Sequence, residues 1–314
     1  MGAAPIPVTV TWQVVEKHIF GPTLGMTLGS VTSGQDHIVW LIRAPRTILA
    51  VLVGSGLALI GAALQSVTRN PLADPHLLGA TSGATLGAVI VVLFAGEIGG
   101  QWGLPAAAFV GALSALMLVV MVARKGGMLT SDRLLLSGVA VSFVLMAAAN
   151  MLLFLGDHRA SSAVMFWMMG GLGAARWELL WLPVAVIGMG GLILWACSRP
   201  LNALMVGEQT AVSLGVETHW VRIGVFVICS LMTGVLVALS GSIGFVGLMV
   251  PHIARRLVGA GHRRLLPACG LIGALLVVCL DTVARTLAAP QDLPIGVVTA
   301  AFGGLFFIAV IRQM

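Results

Sequence analysis

The feature that most constrains this chain is a succession of nine apolar runs, at about 46–66, 79–95, 104–123, 134–155, 179–197, 221–239, 242–258, 266–288 and 295–311. A helix of roughly 17–25 apolar residues matches the hydrocarbon thickness of a bilayer. The polar balance agrees. Only 9% of the 314 residues are charged and 59% are hydrophobic, against about 25% charged in a soluble domain. Mean hydropathy is +1.05. The predicted fold is therefore an all-α polytopic membrane protein, a compact helix bundle forming a single transmembrane domain over 46–314. Residues 1–45 contain no comparable run and are read as a non-spanning N-terminal segment. They also lack a charged stretch followed by an apolar one, so they do not read as a signal peptide.

Lysine and arginine orient the bundle, because cytoplasmic connections carry the excess of positive charge. One set of connections holds eleven: Arg69, Arg124, Lys125, Arg133, Arg199, Arg222, Arg255, Arg256, Arg263, Arg264 and Arg312. The other holds six: Lys17, Arg43, Arg46, Arg159, Arg176 and Arg285. The richer side is assigned to the cytoplasm, which places the connection at about 199–221 and the C-terminus inside and residues 1–45 outside. This asymmetry accounts for the net charge of +6. No basic cluster with interleaved aromatics is present, so nucleic acid is not an expected partner, whereas membrane lipid is. An exported tail without a preceding span is unusual, and a missing upstream span is the expectation that follows.

Within the spans, Gly79, Gly83 and Gly87, and likewise Gly54, Ala58 and Ala62, form ridges of small residues that let helices approach closely in lipid. The connections say more. Residues 69–75, Arg-Asn-Pro-Leu-Ala-Asp-Pro, read as a rigid turn. Met165-Phe166-Trp167-Met168-Met169-Gly170-Gly171 is too short to span. It suits a short helix dipping into a shielded cavity or, alternatively, an interfacial aromatic anchor. Glycines and Pro251 within 244–252 predict a broken or kinked helix. Residues 207–215 read as a two-turn helix with Glu208 at its positive end, Ala211 and Leu214 one turn apart, and Gly215 as the stop.

Several chemistries are absent from the sequence. Neither Lys17 nor Lys125 sits in a P-loop, so ATP is not bound by this chain through one. No H-E-x-x-H or G-x-S-x-G occurs, and the histidines and cysteines are scattered without metal-ligand spacing. Neither a catalytic residue nor a metal site is expected. Asp281 is the one carboxylate deep in a span, and Arg285 lies four residues on, which predicts a local ion pair. Gln65 and Asn150 are candidates to line a pathway, with interhelical hydrogen bonding as the alternative.

Arg43-Ala44-Pro45-Arg46, Gln65 with 69–75 and Leu78-Gly79, Trp167 to Gly171, Gly244 to Leu248 with 251–255, Asp281 with Arg285, and Leu293 to Val297 occur in order. Together they resemble the permease subunits of the ABC importers of iron-siderophores, haem and cobalamin, over about residues 40–314. The resemblance implies a homodimer with two separate ATPase subunits, which bind ATP and Mg, and a periplasmic substrate-binding protein, in a bacterial inner membrane. It implies ten spans, the first of which is not legible here. It implies that Gly207, Glu208, Ala211, Leu214 and Gly215 couple to the ATPase, and that Arg43, Arg46 and Arg285 dock the binding protein. Met165, Phe166, Met168 and Met169 join Gln65 and Asn150 as pathway candidates. The permease itself binds no cofactor and makes no bonds. Haem or another iron compound is favoured over cobalamin only because such systems are common in the family. The rival reading is an ion-gradient-driven secondary transporter, which should show inverted repeats and buried ion ligands.

Overall fold

The computed structural model describes residues 6–24, 31–95, 100–124, 131–156 and 158–312. Lys125 lies outside them. In chain order the helices are α1 (Val8–Leu24), α2 (Ser33–Thr68), α3 (Ala80–Phe94), α4 (Gly103–Ala123), α5 (Ser131–Leu155), α6 (His158–Met168), α7 (Trp177–Ala196), α8 (Ser198–Val206), α9 (Glu208–Ser213), α10 (Thr218–Ser240), α11 (Val246–Val258), α12 (His262–Leu287) and α13 (Ile295–Ile311). No strand occurs among the described residues. Six of these helices, α2, α4, α5, α7, α10 and α12, are long and apolar enough to cross a membrane, and α3 and α13 are shorter apolar helices.

Two of the expected boundaries move. The run at 46–66 is the middle of a 36-residue helix that begins at Ser33 and passes through a π-helical turn at Ile38–Arg43. The described residues within 1–45 are thus mostly helical. Their pattern hides this because α1 carries Glu16, Lys17 and His18 midway along an apolar segment. Lys17 and His18 both reach Asp36 of α2, at 3.3 and 3.2 Å. The His18 ring stacks on Trp40 at 4.2 Å, so α1 is held by polar contacts that an apolar scan does not reward.

The second difference is at 242–258, read above as a span. Residues 241–245 are non-helical, and α11 has only 13 residues, about 20 Å of helix. The interruption is where glycine and proline predicted it. Gly241 adopts φ 64° and Phe245 φ 67°, and a side chain at Gly241 would collide with the Trp167 carbonyl oxygen. Irregular backbone within a membrane domain must find partners inside the protein. Here the Gly171 N–H donates to Ser240 O at 2.9 Å, and His76 Nε2 lies 2.8 Å from Ile243 O. The 69–79 loop and the 169–176 loop thereby close on the break together.

Helices α2 and α10 run through the centre, and α5 lies at the periphery. Helices α2 and α12 meet backbone to backbone: a Cβ at Gly54 would collide with the Gly273 carbonyl, and one at Gly273 with the Gly54 carbonyl. In lipid, packing rather than water exclusion drives helix association, so this backbone contact is what the small-residue ridge of α2 is for. The two helices run antiparallel. One end of the pair carries Arg46 and Asp281, and the other carries Ser66 and His262. Trp177 Nε1 donates to Trp40 O at 2.8 Å beside the arginine-bearing end, in keeping with the preference of tryptophan for membrane interfaces.

Candidate functional site

The chain offers two candidate surfaces, one at each end of the α2–α12 pair, and a set of unpartnered helix faces between them.

At the Ser66 end, α8 and α9 form an elbow at Gly207. Helix α9 ends as its sequence predicts: Gly215 takes φ 78°, its N–H donates to Val212 O, and the Val216 N–H donates to Ala211 O, both at 2.9 Å. These two bonds satisfy the last carbonyls of the helix. Ala211 is fully buried and fixes the elbow to the bundle, while Leu214, 69% exposed, points away from it. Val206, Val212 and Trp220 are exposed beside it. Glu208 is anchored by Arg222 of α10, Nη2 to Oε1 3.4 Å, with the guanidinium buried and the carboxylate partly exposed. A two-turn helix that buries one small residue and presents several large apolar ones is shaped as a contact surface.

At the opposite end, Asp281 is buried between two guanidiniums. Arg46 Nε and Nη2 donate to its Oδ1 at 3.0 and 2.9 Å, and Arg285 Nε is 3.0 Å from its Oδ2. The predicted Asp281–Arg285 pair is therefore one half of a larger network. Arg46 also binds Asp292 at 2.5 Å. The two arginines are balanced by two carboxylates within the chain. The Arg46 side chain is only 11% exposed, but its partner Asp292 is 53% exposed. Sequence reasoning missed Asp292, which sits in the loop before Leu293 with no periodicity to mark it.

The pathway candidates separate. Gln65 is buried, and its place has a local cause. Pro251 lacks the N–H that would bond to Gly247 O four residues back, and Gln65 Nε2 donates to that carbonyl instead at 3.2 Å. Its Oε1 accepts from Arg255 Nη1 at 2.6 Å. Gln65 thus joins α2 to α11 as an interhelical bond. Asn150 lies with Phe143 and Phe154 on the exposed face of α5. Met165, Phe166 and Met169 are exposed, whereas Met168 packs against the small cluster of Val89, Ala149 and Val164. Phe166 and Trp167 wall a cavity of about 420 Å³ together with Leu104, Arg176 and Leu239.

In the 69–79 turn, Asp74 is buried and accepts from the His76 N–H at 2.9 Å through Oδ1. Burial pushes its carboxyl above the ordinary range, against the opposing pull of His76.

The FecCD transport family pattern matches residues 1–313. The chain belongs to this family. It is the family of ABC-importer permeases whose motifs the sequence resembles, and the match extends over residues 1–45, so α1 lies inside the family pattern. The vitamin B12 import system permease protein BtuC of Citrobacter koseri is 42% identical over 276 residues, covering 87% of this chain and 82% of the relative. That of Salmonella typhimurium is equally similar, covering 87% and 83%. Among solved structures, a metal-chelate type ABC transporter in an inward-facing conformation superposes with TM-score 0.83 at 32% identity, over 98% of both chains. PsaBC from Streptococcus pneumoniae in complex with Fab shares the fold alone, with TM-score 0.59 at 17% identity over 84% and 88% of the chains.

Proposed function

We propose that this FecCD permease works as a homodimer that passes a large metal chelate, with cobalamin the foremost candidate, from a periplasmic binding protein to the cytoplasm. The observation that carries the reading is the elbow. A chain without a P-loop needs an external motor, and the α8–α9 elbow offers a firmly seated surface for one. The ATPase pair, which binds ATP and Mg, docks there on Glu208, Leu214 and their neighbours. The arginine-bearing end then faces the periplasm, where Arg43, Arg46 and Arg285 receive acidic residues of the binding protein. Charge pairs of this kind suit a transient complex. The elbow and the C-terminus face the cytoplasm, in line with the positive-charge asymmetry.

Two features support a passage between two copies. The cavity walled by Phe166 and Trp167, about 420 Å³, has room for a drug-sized molecule and is small for a corrin. Asn150 sits on an exposed apolar face of α5, and an amide in lipid without a partner is costly. Covering by a second copy, or by a water-filled path, removes that cost. The relatives named for vitamin B12 import favour cobalamin over the iron compounds preferred from sequence alone. The permease supplies two conformations, whose balance ATP and the binding protein shift.

Reconstitution with the cognate ATPase and binding protein tests this. Radiolabelled cyanocobalamin should accumulate only with ATP, and haem or a ferric siderophore should accumulate far less. Preferential uptake of haem would overturn the substrate assignment. Uptake by the permease alone on an ion gradient would replace the importer reading with the secondary-transporter one. Glu208→Lys should abolish co-purification of the ATPase, and so should Leu214→Glu, at an exposed side chain where the isolated permease keeps its thermal stability.

A further inference from the structure

At the elbow end, three helices are joined through one imidazole. His262 opens α12 and is fully buried. The residue before it, Gly261, has no side chain with which to cap the helix, so the first amides of α12 need an acceptor from elsewhere. Asn202 of α8 provides it: its Oδ1 accepts the His262 main-chain N–H at 3.0 Å. The same oxygen lies 2.6 Å from His262 Nδ1. Because the main-chain donor fixes that atom as an oxygen, Nδ1 carries the ring proton. Nε2 is then the acceptor, and the Ser66 hydroxyl of α2, 2.5 Å away, turns its one proton to the ring in place of the Ala62 carbonyl at 2.8 Å. The imidazole is thus used on both sides, in one tautomer, between α8 and α2, while its own backbone belongs to α12. A second tie lies alongside, from Trp195 Nε1 to Arg263 O at 3.1 Å.

Helix α8 is the arm that carries the elbow. Apart from these bonds it is seated by Leu201 and Leu204, and apolar burial is non-directional. It holds a helix down without fixing its register. The hydrogen bonds of His262 do fix it.

We propose that His262 is the positioning residue that fastens the α8 arm to the α2–α12 pair, so that a push on the elbow moves both helices as one body. The Gly54–Gly273 contact and the Arg46–Asp281–Arg285 network lie on the same two helices. The displacement is therefore delivered about 30 Å away, at the arginine-bearing end. This rests on the reading that an ATPase docks on the elbow.

The test uses the full complex in nanodiscs. It reads co-purification of the ATPase and the fold-stimulation of ATP hydrolysis by the substrate-free binding protein, which does not depend on cargo identity. His262→Ala and Asn202→Ala should each retain the ATPase yet lose stimulation by about tenfold. The double variant should be no worse than either single one, because both break the same joint. His262→Gln, which keeps a donor for Asn202, should recover part of the response. Stimulation at the wild-type level in both single variants, even with a lowered Tm, overturns the proposal, as does additivity in the double. If His262→Ala does not fold, Asn202→Ala carries the test. A wild-type complex that binds the ATPase but ignores the binding protein, or does not bind it at all, defeats the coupling reading itself and is recognisable as such.

Discussion

The two ends of the α2–α12 pair are fastened by opposite chemistries. At one end, Arg46 and Arg285 clasp Asp281, with Asp292 reaching in from a solvent-facing loop. At the other, Ser66, His262 and Asn202 are joined by hydrogen bonds without any formal charge. Charged groups held by an exposed partner can exchange it for another carboxylate at little net cost, since exposed ion pairs are worth only about 0–1 kcal/mol. Neutral groups sealed in a protein interior have no such alternative, because each loses about 1–3 kcal/mol when left unpaired. On the proposed function, the arginine-bearing end would exchange partners and the elbow end would stay joined, the division of labour expected of a permease that meets a transient partner on one face and a motor on the other.

The comparison breaks first if the two ends are not mechanically joined. Gly54→Val would drive a branched side chain into the Gly273 backbone, which cannot yield as a flexible side chain can. Loss of the folded bundle, seen as aggregation in size-exclusion chromatography, is expected. A monodisperse, fully active variant would show that the close contact does not link them. Next in size is Asp281→Ala, which removes the buried carboxylate shared by two mostly buried guanidiniums. A loss of roughly 3–5 kcal/mol is expected for breaking such a network, read as a large fall in Tm in detergent. Removing Arg46 as well should recover part of it.

Ser66→Ala probes the neutral end. It leaves His262 Nε2 without its hydroxyl partner and should cost about 1–3 kcal/mol, a Tm drop smaller than that of Asp281→Ala. An equal or larger drop would reverse the ranking of the two ends. The smallest effect belongs to Asp292→Ala. Stability should change by about 1 kcal/mol or less, while affinity for the binding protein rises a few-fold by surface plasmon resonance, because Arg46 no longer has its exposed internal competitor. Weaker binding would mean that Asp292 is itself part of the docking surface.

Much of this molecule was legible as a string of residues. Apolar length gave the membrane and most of the helices, because bilayer thickness imposes one simple rule on every span. Gly215 marked the end of α9, and the glycines near 244 with Pro251 marked a break, since backbone geometry at such residues is a local matter. The spacing of Asp281 and Arg285 gave one true ion pair. The sequence fell short where the deciding contact is distant in the chain. Helix α1 hid behind Glu16, Lys17 and His18, whose cost is met by Asp36 and Trp40. The supposed span at 242–258 was half a span, because His76 and the Gly171 amide supply the partners that let irregular backbone persist there.

Gln65 shows the boundary most sharply. By itself it was a polar residue in an apolar run, equally suited to lining a path or bonding a neighbour. Only the fold set it opposite Gly247, whose carbonyl Pro251 leaves open, 182 positions away along the chain. Local composition therefore determined that this protein spans the membrane and where its helices bend. Tertiary structure decided which polar groups face each other, because that depends on how antiparallel helices are brought into register, and register is set by packing at glycine contacts that no single stretch contains.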